Sequence, residues 1–200
     1  MVERERCALD KRGEWSASLK SKGLVMQTEH KCGNYDFDTD DKNGGAGDFT
    51  WKAATQYDAN KPQNDYAYGV ESWKQIRDWV KAGVNGYAAW NMVLDTLGAN
   101  LNKTKPWHQN SLLVVDRTAK TLIQTPAYFV FRHLSQYVAL PATVVGTTGG
   151  DALAFKNANG SFTVVVYNKD AAKTMTVSVG GALLQFSAPA NGWATLYYKR

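Results

Sequence analysis

From Thr143 onward the chain breaks into short segments of alternating polarity, "ALAFKN", "SFTVVVYNK", "TMTVSV", "LLQFSA" and "WATLYYK", separated by Asn-Gly, Gly-Gly and Asp-Ala-Ala turns. Alternation with period two turns one side of each segment to a core and the other to water. Glycine-rich two-residue turns reverse the chain, because their central residues need positive φ. This pattern predicts antiparallel hairpins packed as a β-sandwich, with its boundary near Pro141. Upstream the texture differs. Residues 24–28 read as a short apolar strand between Gly23 and Gly33-Asn34, and a polar loop then runs to Gln63, longer than ordinary connections and therefore functional or mobile. Asn64 or Asp65 can cap a helix in which Tyr66, Val70, Trp73, Ile76, Trp79 and Val80 recur at helical spacing until Gly83 stops it. The run "VNGYAAWNMVLD" follows, with the continuous apolar character of a central parallel strand. Strand, helix and strand make a βαβ unit, which requires a parallel sheet and a right-handed crossover. A further strand, "LLVVD" at 112–116, precedes a helix from Pro126 to Val138 with Tyr128, Phe131, Leu134 and Val138 on one face. The expected fold class is α/β followed by all-β: a polar arm over 1–22, a layered region over 23–140 and a β-sandwich over 141–200.

With 44% hydrophobic residues among 200, the chain has material for one good core or two small ones. The net charge of +5 is spread out, without the basic stripe interleaved with aromatics that nucleic-acid binding requires. Cys7 and Cys32 have no spacing that fits a zinc site and are expected as free or buried thiols. Neither a signal-peptide core nor a transmembrane run occurs, so nothing in these residues directs export.

Glu29 is the sharpest chemical candidate. At the C-terminal end of a parallel strand a carboxylate can project into an active face, whereas burial in the wall would be costly. A surface glutamate just past a strand is the plainer alternative. Trp90-Asn91 occupies the equivalent point of the next strand, and an indole face stacks on sugar C–H groups, so the pair favours a carbohydrate site. The loop "DFDTDDKNGGAGD" alternates Asp36, Asp38 and Asp40 as calcium loops do, but its sixth position is Asp41 rather than glycine and its twelfth is Gly47 rather than glutamate. It reads as part of a solvated loop, further along which Trp51 and Tyr57 can contact substrate, and no metal or cofactor is expected. Two sequons, at Asn102 and Asn159, matter only in a eukaryotic secretory setting, and Asn159-Gly160 is better explained as a turn.

The stretches "MQTEHKCGN", "GYAAWNMVLDTLG", "PWHQNSLLVVD", "TPAYFVFRHLSQYV" and "FTVVVYNK...PANGWATLYYK" resemble the C-terminal portion of glycoside hydrolase family 30. That family includes glucosylceramidases, β-1,6-glucanases, β-xylosidases and xylanases. The resemblance runs from about Gly23 to Arg200. It implies the last two strands of a (β/α)₈ barrel followed by most of a β-sandwich. For Glu29 it implies the nucleophile of a retaining glycosidase, with a second carboxylic acid roughly 5 Å away. Trp90 would wall the sugar subsite. Asn91 and His30 would bond sugar hydroxyls or orient Glu29, and His30 reads equally well as a structural histidine. The substrate would be a β-linked glycan or glycoside.

The sequence departs from the family at one decisive point. The family's acid/base glutamate lies in an Asn-Glu pair, and this chain has none; its five glutamates are Glu3, Glu5, Glu14, Glu29 and Glu71. None suits a place opposite Glu29. The expectation is therefore a C-terminal part of an enzyme, inactive or nearly so alone, whose partner is the missing N-terminal part of the barrel. Loss of the acid/base residue costs typically 10²- to 10⁴-fold in rate, and an open sheet exposes edges and apolar faces that favour aggregation. A non-catalytic carbohydrate-binding module and a product without function are the competing readings.

Overall fold

A computed structural model of the chain describes residues 23–31, 64–96 and 111–199, with the backbone alone for Glu29, His30, Lys31 and Trp90. Residues 1–22, both cysteines, Trp51, Tyr57 and the Asn102 sequon lie outside the described residues. Two compact units divide the chain at Phe129/Val130.

In the first unit, β1 (Met26–Lys31) and β2 (Gly86–Trp90) pair in parallel and are joined through helix α1 (Tyr66–Lys81). Asp65 caps α1, its carboxylate accepting from Ala67 N at 2.7 Å, and so satisfies one of the helix's unpartnered donors. The buried face of α1 is Tyr68, Gly69, Ser72, Trp73 and Ile76. Tyr66, expected on that face, is exposed. Two small residues, Gly69 and Ser72, lie among the three large ones, and small side chains allow close packing that a pattern of large apolar residues does not reveal.

The run "VNGYAAWNMVLD" is two strands rather than one. β2 ends at Trp90, and after Asn91-Met92 the chain resumes as β3 (Val93–Asp95) in a different sheet, pairing in parallel with β4 (Leu113–Asp116). β4 turns into β5 (Thr121–Gln124), a strand the sequence pattern did not reveal. Asp116 shapes that turn by accepting from the backbone N–H groups of Thr118 and Ala119, both at 2.9 Å. Strand β1 also differs from the expectation: it begins at Met26 and continues through Glu29 to Lys31.

Helix α2 (Pro126–Ser135) starts with proline at its first position. The buried Thr125 hydroxyl donates to the Ser111 and Leu112 carbonyls and accepts from Tyr128 N. The helix ends three residues before Val138, and Ala127 and Val130 are its most buried side chains.

The second unit is the sandwich. Four strands stand in the order β11 (Gly192–Tyr198), β8 (Phe162–Asn168), β7 (Asp151–Asn157) and β6 (Ala142–Val145), all antiparallel. β9 (Lys173–Val179) and β10 (Ala182–Ala188) form a separate antiparallel pair. Ala152, Ala154, Val164 and Val166 of the larger sheet meet Val179, Met175, Val177, Leu184 and Phe186 of the smaller. The Gly180-Gly181 reversal has φ of +56° and +86°, as a two-residue hairpin turn of this hand requires. The Asp-Ala-Ala stretch, read as a hairpin turn, instead carries the chain from one sheet to the other. Asn168 holds that crossing and the return crossing together, donating to Ala171 O and Pro189 O at 3.0 and 2.7 Å.

β8 is buried along almost its whole length, Thr163 to Asn168, on both faces. On the face away from β9 and β10, His133 Nδ1 and Thr195 Oγ1 share a hydrogen bond of 2.7 Å. Burial, helped by the Arg132 charge, holds the His133 pKa below its ordinary value. The unfolded chain therefore takes up this proton at a higher pH than the folded one, and stability is full above the ordinary histidine pKa and falls as pH drops below it. We expect the sandwich to melt at a lower temperature at pH 5.5 than at pH 7.5. His133→Gln should flatten that part of the dependence in calorimetric scans; an unchanged slope would assign it to other groups.

Candidate functional site

The β1/β2 pair begins with a reciprocal clamp. Asn85 N donates to Val25 O at 2.7 Å, and Val25 N donates to Asn85 Oδ1 at 3.0 Å. Met26 is then paired with Gly86, and the Met26 side chain lies over that glycine; a Cβ there would come within 2.8 Å of Met26 Cε. Close approach is thus what Gly86 provides.

At the other end of the pair, His30 stands opposite Ala89 and Lys31 opposite Trp90. Adjacent strands lie about 4.8 Å apart, so the backbones of Glu29 and His30 on β1 and of Trp90 on β2 share one end of one parallel ladder. Asn91 follows directly, half-buried, and its carbonyl accepts from Leu112 N at 3.2 Å while Met92 O accepts from Leu113 N at 2.9 Å. Asn91 is therefore the hinge residue at which the strand leaves β1 and joins β4. Four of the five sequence candidates, Glu29, His30, Trp90 and Asn91, are brought to the same strand ends; the fifth, Trp51, lies outside the described residues.

One acidic residue escaped the sequence reading. Asp95, at the C-terminal end of β3 and 7% exposed, is the one charged side chain among the described residues that is buried. The signal that singled out Glu29, an acid closing an apolar run, was present in "MVLD" as well. Among the described residues, no group of histidine, cysteine and acidic side chains could hold a metal ion, and no helix is long and apolar enough to cross a membrane.

Comparison with known proteins places these features in context. Residues 140–196 match the model of the glycosyl hydrolase family 30 beta sandwich domain. A Caenorhabditis elegans protein named "Putative glucosylceramidase 4" is 26% identical over a 162-residue alignment that covers 75% of this chain and 28% of that protein. Among solved structures, SrfJ from Salmonella typhimurium superposes over 96% of the chain with a TM-score of 0.71 and 17% identity, covering 38% of its own length. The endo-β1,6-glucanase BT3312 superposes over 93% with a TM-score of 0.63 and 19% identity, again over 38% of that protein. The catalytic domain of family 30 xylanase C from Talaromyces cellulolyticus superposes over 90% with a TM-score of 0.57 and 17% identity, over 41% of that chain. The chain thus spans well under half the length of each of these relatives. By family model, by sequence relative and by fold, it resembles the C-terminal portion of a glycoside hydrolase of family 30.

Proposed function

We propose that this chain supplies the nucleophile side of a retaining β-glycosidase, acting on a β-linked glycan or glycoside of the glucosylceramide or β-1,6-glucan kind. The observation that supports the reading is the parallel β1/β2 ladder, in which the Glu29 backbone lies on the strand next to the one that ends at Trp90 and leads into Asn91. In this reading β1 and β2 are the last two strands of a (β/α)₈ barrel over residues 23–140, and residues 141–200 belong to a β-sandwich. The Glu29 carboxylate attacks the anomeric carbon as the glycosidic C–O bond breaks, and the leaving oxygen takes a proton from a second carboxylic acid. Water then hydrolyses the glycosyl ester, losing a proton to that same second group. Trp90 walls the sugar, Asn91 and His30 bond its hydroxyls, and Trp51 contacts substrate. The second carboxylate comes from outside this sequence, on the remaining barrel strands.

A 2-deoxy-2-fluoroglycosyl fluoride tests the assignment, because its leaving group needs no protonation and its ester with the nucleophile is slow to hydrolyse. In the chain assembled with the strands that complete the barrel, the label is expected on the tryptic peptide Gly23–Lys31 and absent after Glu29→Gln. A label on any other carboxylate removes Glu29 from the role. Glycan binding with no label at all would instead describe an accessory carbohydrate-binding module.

A further inference from the structure

The β1/β2 ladder is interrupted once, and Glu29 lies in the interruption. Gln27 pairs with Tyr87 and His30 pairs with Ala89, so Thr28 and Glu29 together face Ala88 alone. Two residues against one is the count of a β-bulge, a feature rare in parallel pairs and over-represented beside active sites, where it re-aims a side chain. The register is held on both sides of it. Before the break stand the Asn85–Val25 clamp and the Met26–Gly86 contact; after it stand the His30–Ala89 and Lys31–Trp90 pairs. A strand pinned at both ends cannot slip to spread out its extra residue, so the irregularity stays at positions 28 and 29. Counting on from Gln27 without a break would put Glu29 opposite Ala89 and His30 opposite Trp90. The break moves each of them back by one place.

We propose that this two-against-one register is a positioning device: it lifts the Glu29 backbone out of the regular alternation of β1, and Thr28 is the residue whose presence creates it. The inference rests on the reading of Glu29 as nucleophile. It concerns backbone count rather than the Thr28 side chain, and that distinction can be tested. Deleting Thr28 leaves Gln27–Tyr87, His30–Ala89 and Lys31–Trp90 intact and pairs Glu29 with Ala88 in a regular strand. Inserting one alanine after Ala88 removes the imbalance from the other side and provides a second readout should the deletion fail to fold. Thr28→Ala preserves the count.

The measurement is the rate of labelling of peptide Gly23–Lys31 by the fluoroglycosyl fluoride in the assembled enzyme, alongside melting temperature. Misplacing a reacting group by about 1 Å costs on the order of 10²-fold. We expect a loss of at least about that size in the deletion or insertion variant that melts like the wild type, with Thr28→Ala near the wild-type rate. Wild-type labelling in a folded deletion or insertion variant overturns this inference alone, and so does a Thr28→Ala loss as large as theirs. A wild-type enzyme that takes no label removes the nucleophile reading and this inference with it.

Discussion

Glutamine at position 29 is expected to lower kcat/KM of the assembled enzyme on the order of 10⁴- to 10⁶-fold, the range typical when a covalent nucleophile is removed. The amide matches the carboxylate in size but is neutral and a poor nucleophile, so neither the glycosyl ester nor electrostatic support for the positive anomeric centre is available. Because the shape is kept, the affinity for an unreactive glycan should stay within a few-fold. Glu29→Asp retains the charge but withdraws it by one methylene, and a loss on the order of 10²-fold is expected from that displacement. Steady-state kinetics on an aryl β-glycoside, paired with calorimetric titration of a non-hydrolysed glycan, measures both quantities. Parallel loss of turnover and binding would make Glu29 a structural residue, and unaltered turnover would dismiss it from the chemistry.

Asn157→Ala is expected to destabilise the sandwich by about 3 kcal/mol, since each buried partner left unmade costs about 1–3 kcal/mol. Asn157 is 2% exposed at the end of β7 and makes three hydrogen bonds through its side chain. Its Nδ2 donates to Ser161 Oγ at 2.8 Å and to Thr163 Oγ1 at 3.0 Å, while its Oδ1 accepts from Ala139 N at 3.1 Å. Thr163 passes the link on, donating to Tyr137 O at 2.7 Å. Together these bonds tie the segment after α2 to the β7–β8 hairpin. For a unit of this size 1 kcal/mol corresponds to about 4–8 °C, so melting should fall by more than about 10 °C. Asn157→Asp, which keeps the acceptor for Ala139 but replaces the two donors, should also destabilise. A change of only 1–2 °C in the alanine variant would show that Ser161, Thr163 and Ala139 find other partners.

The elements that could be read from the sequence are those whose local pattern and tertiary role agree. The Gly180-Gly181 turn joins the strands expected on either side of it, because glycine adopts two successive positive φ values at no steric cost. Asp65 caps α1 because its carboxylate reaches a backbone N–H two residues on, a contact local enough to be visible in sequence. β5 and β6 were missed, each four residues long and too short for a period to register. The division of "VNGYAAWNMVLD" was invisible as well, since β2 and β3 are equally apolar and only the pairing partners, β1 for one and β4 for the other, separate them.

The candidate site divides in the same way. That an acid ends an apolar stretch in "LVMQTEHK" is plain from the residues, and so is the aromatic-amide pair at Trp90-Asn91. That they belong to adjacent strands of one parallel ladder depends on contacts between residues some sixty positions apart, such as Asn85 with Val25. The bulge was beyond sequence reading, because Gln27, Thr28, Glu29, His30 and Lys31 are all polar and carry no alternation from which a register could be counted.

By itself, the sequence determined the alternation of strands in the C-terminal half, the capped helix before β2 and the residue types available for chemistry, since each depends on interactions within a few positions. The tertiary structure alone decided which strands share a sheet, that Asp-Ala-Ala is a crossing rather than a hairpin, and that two residues of β1 face one of β2. Those outcomes are settled by hydrogen-bond pairing and packing between distant segments, where a shift of one residue changes every partner while leaving the composition unchanged.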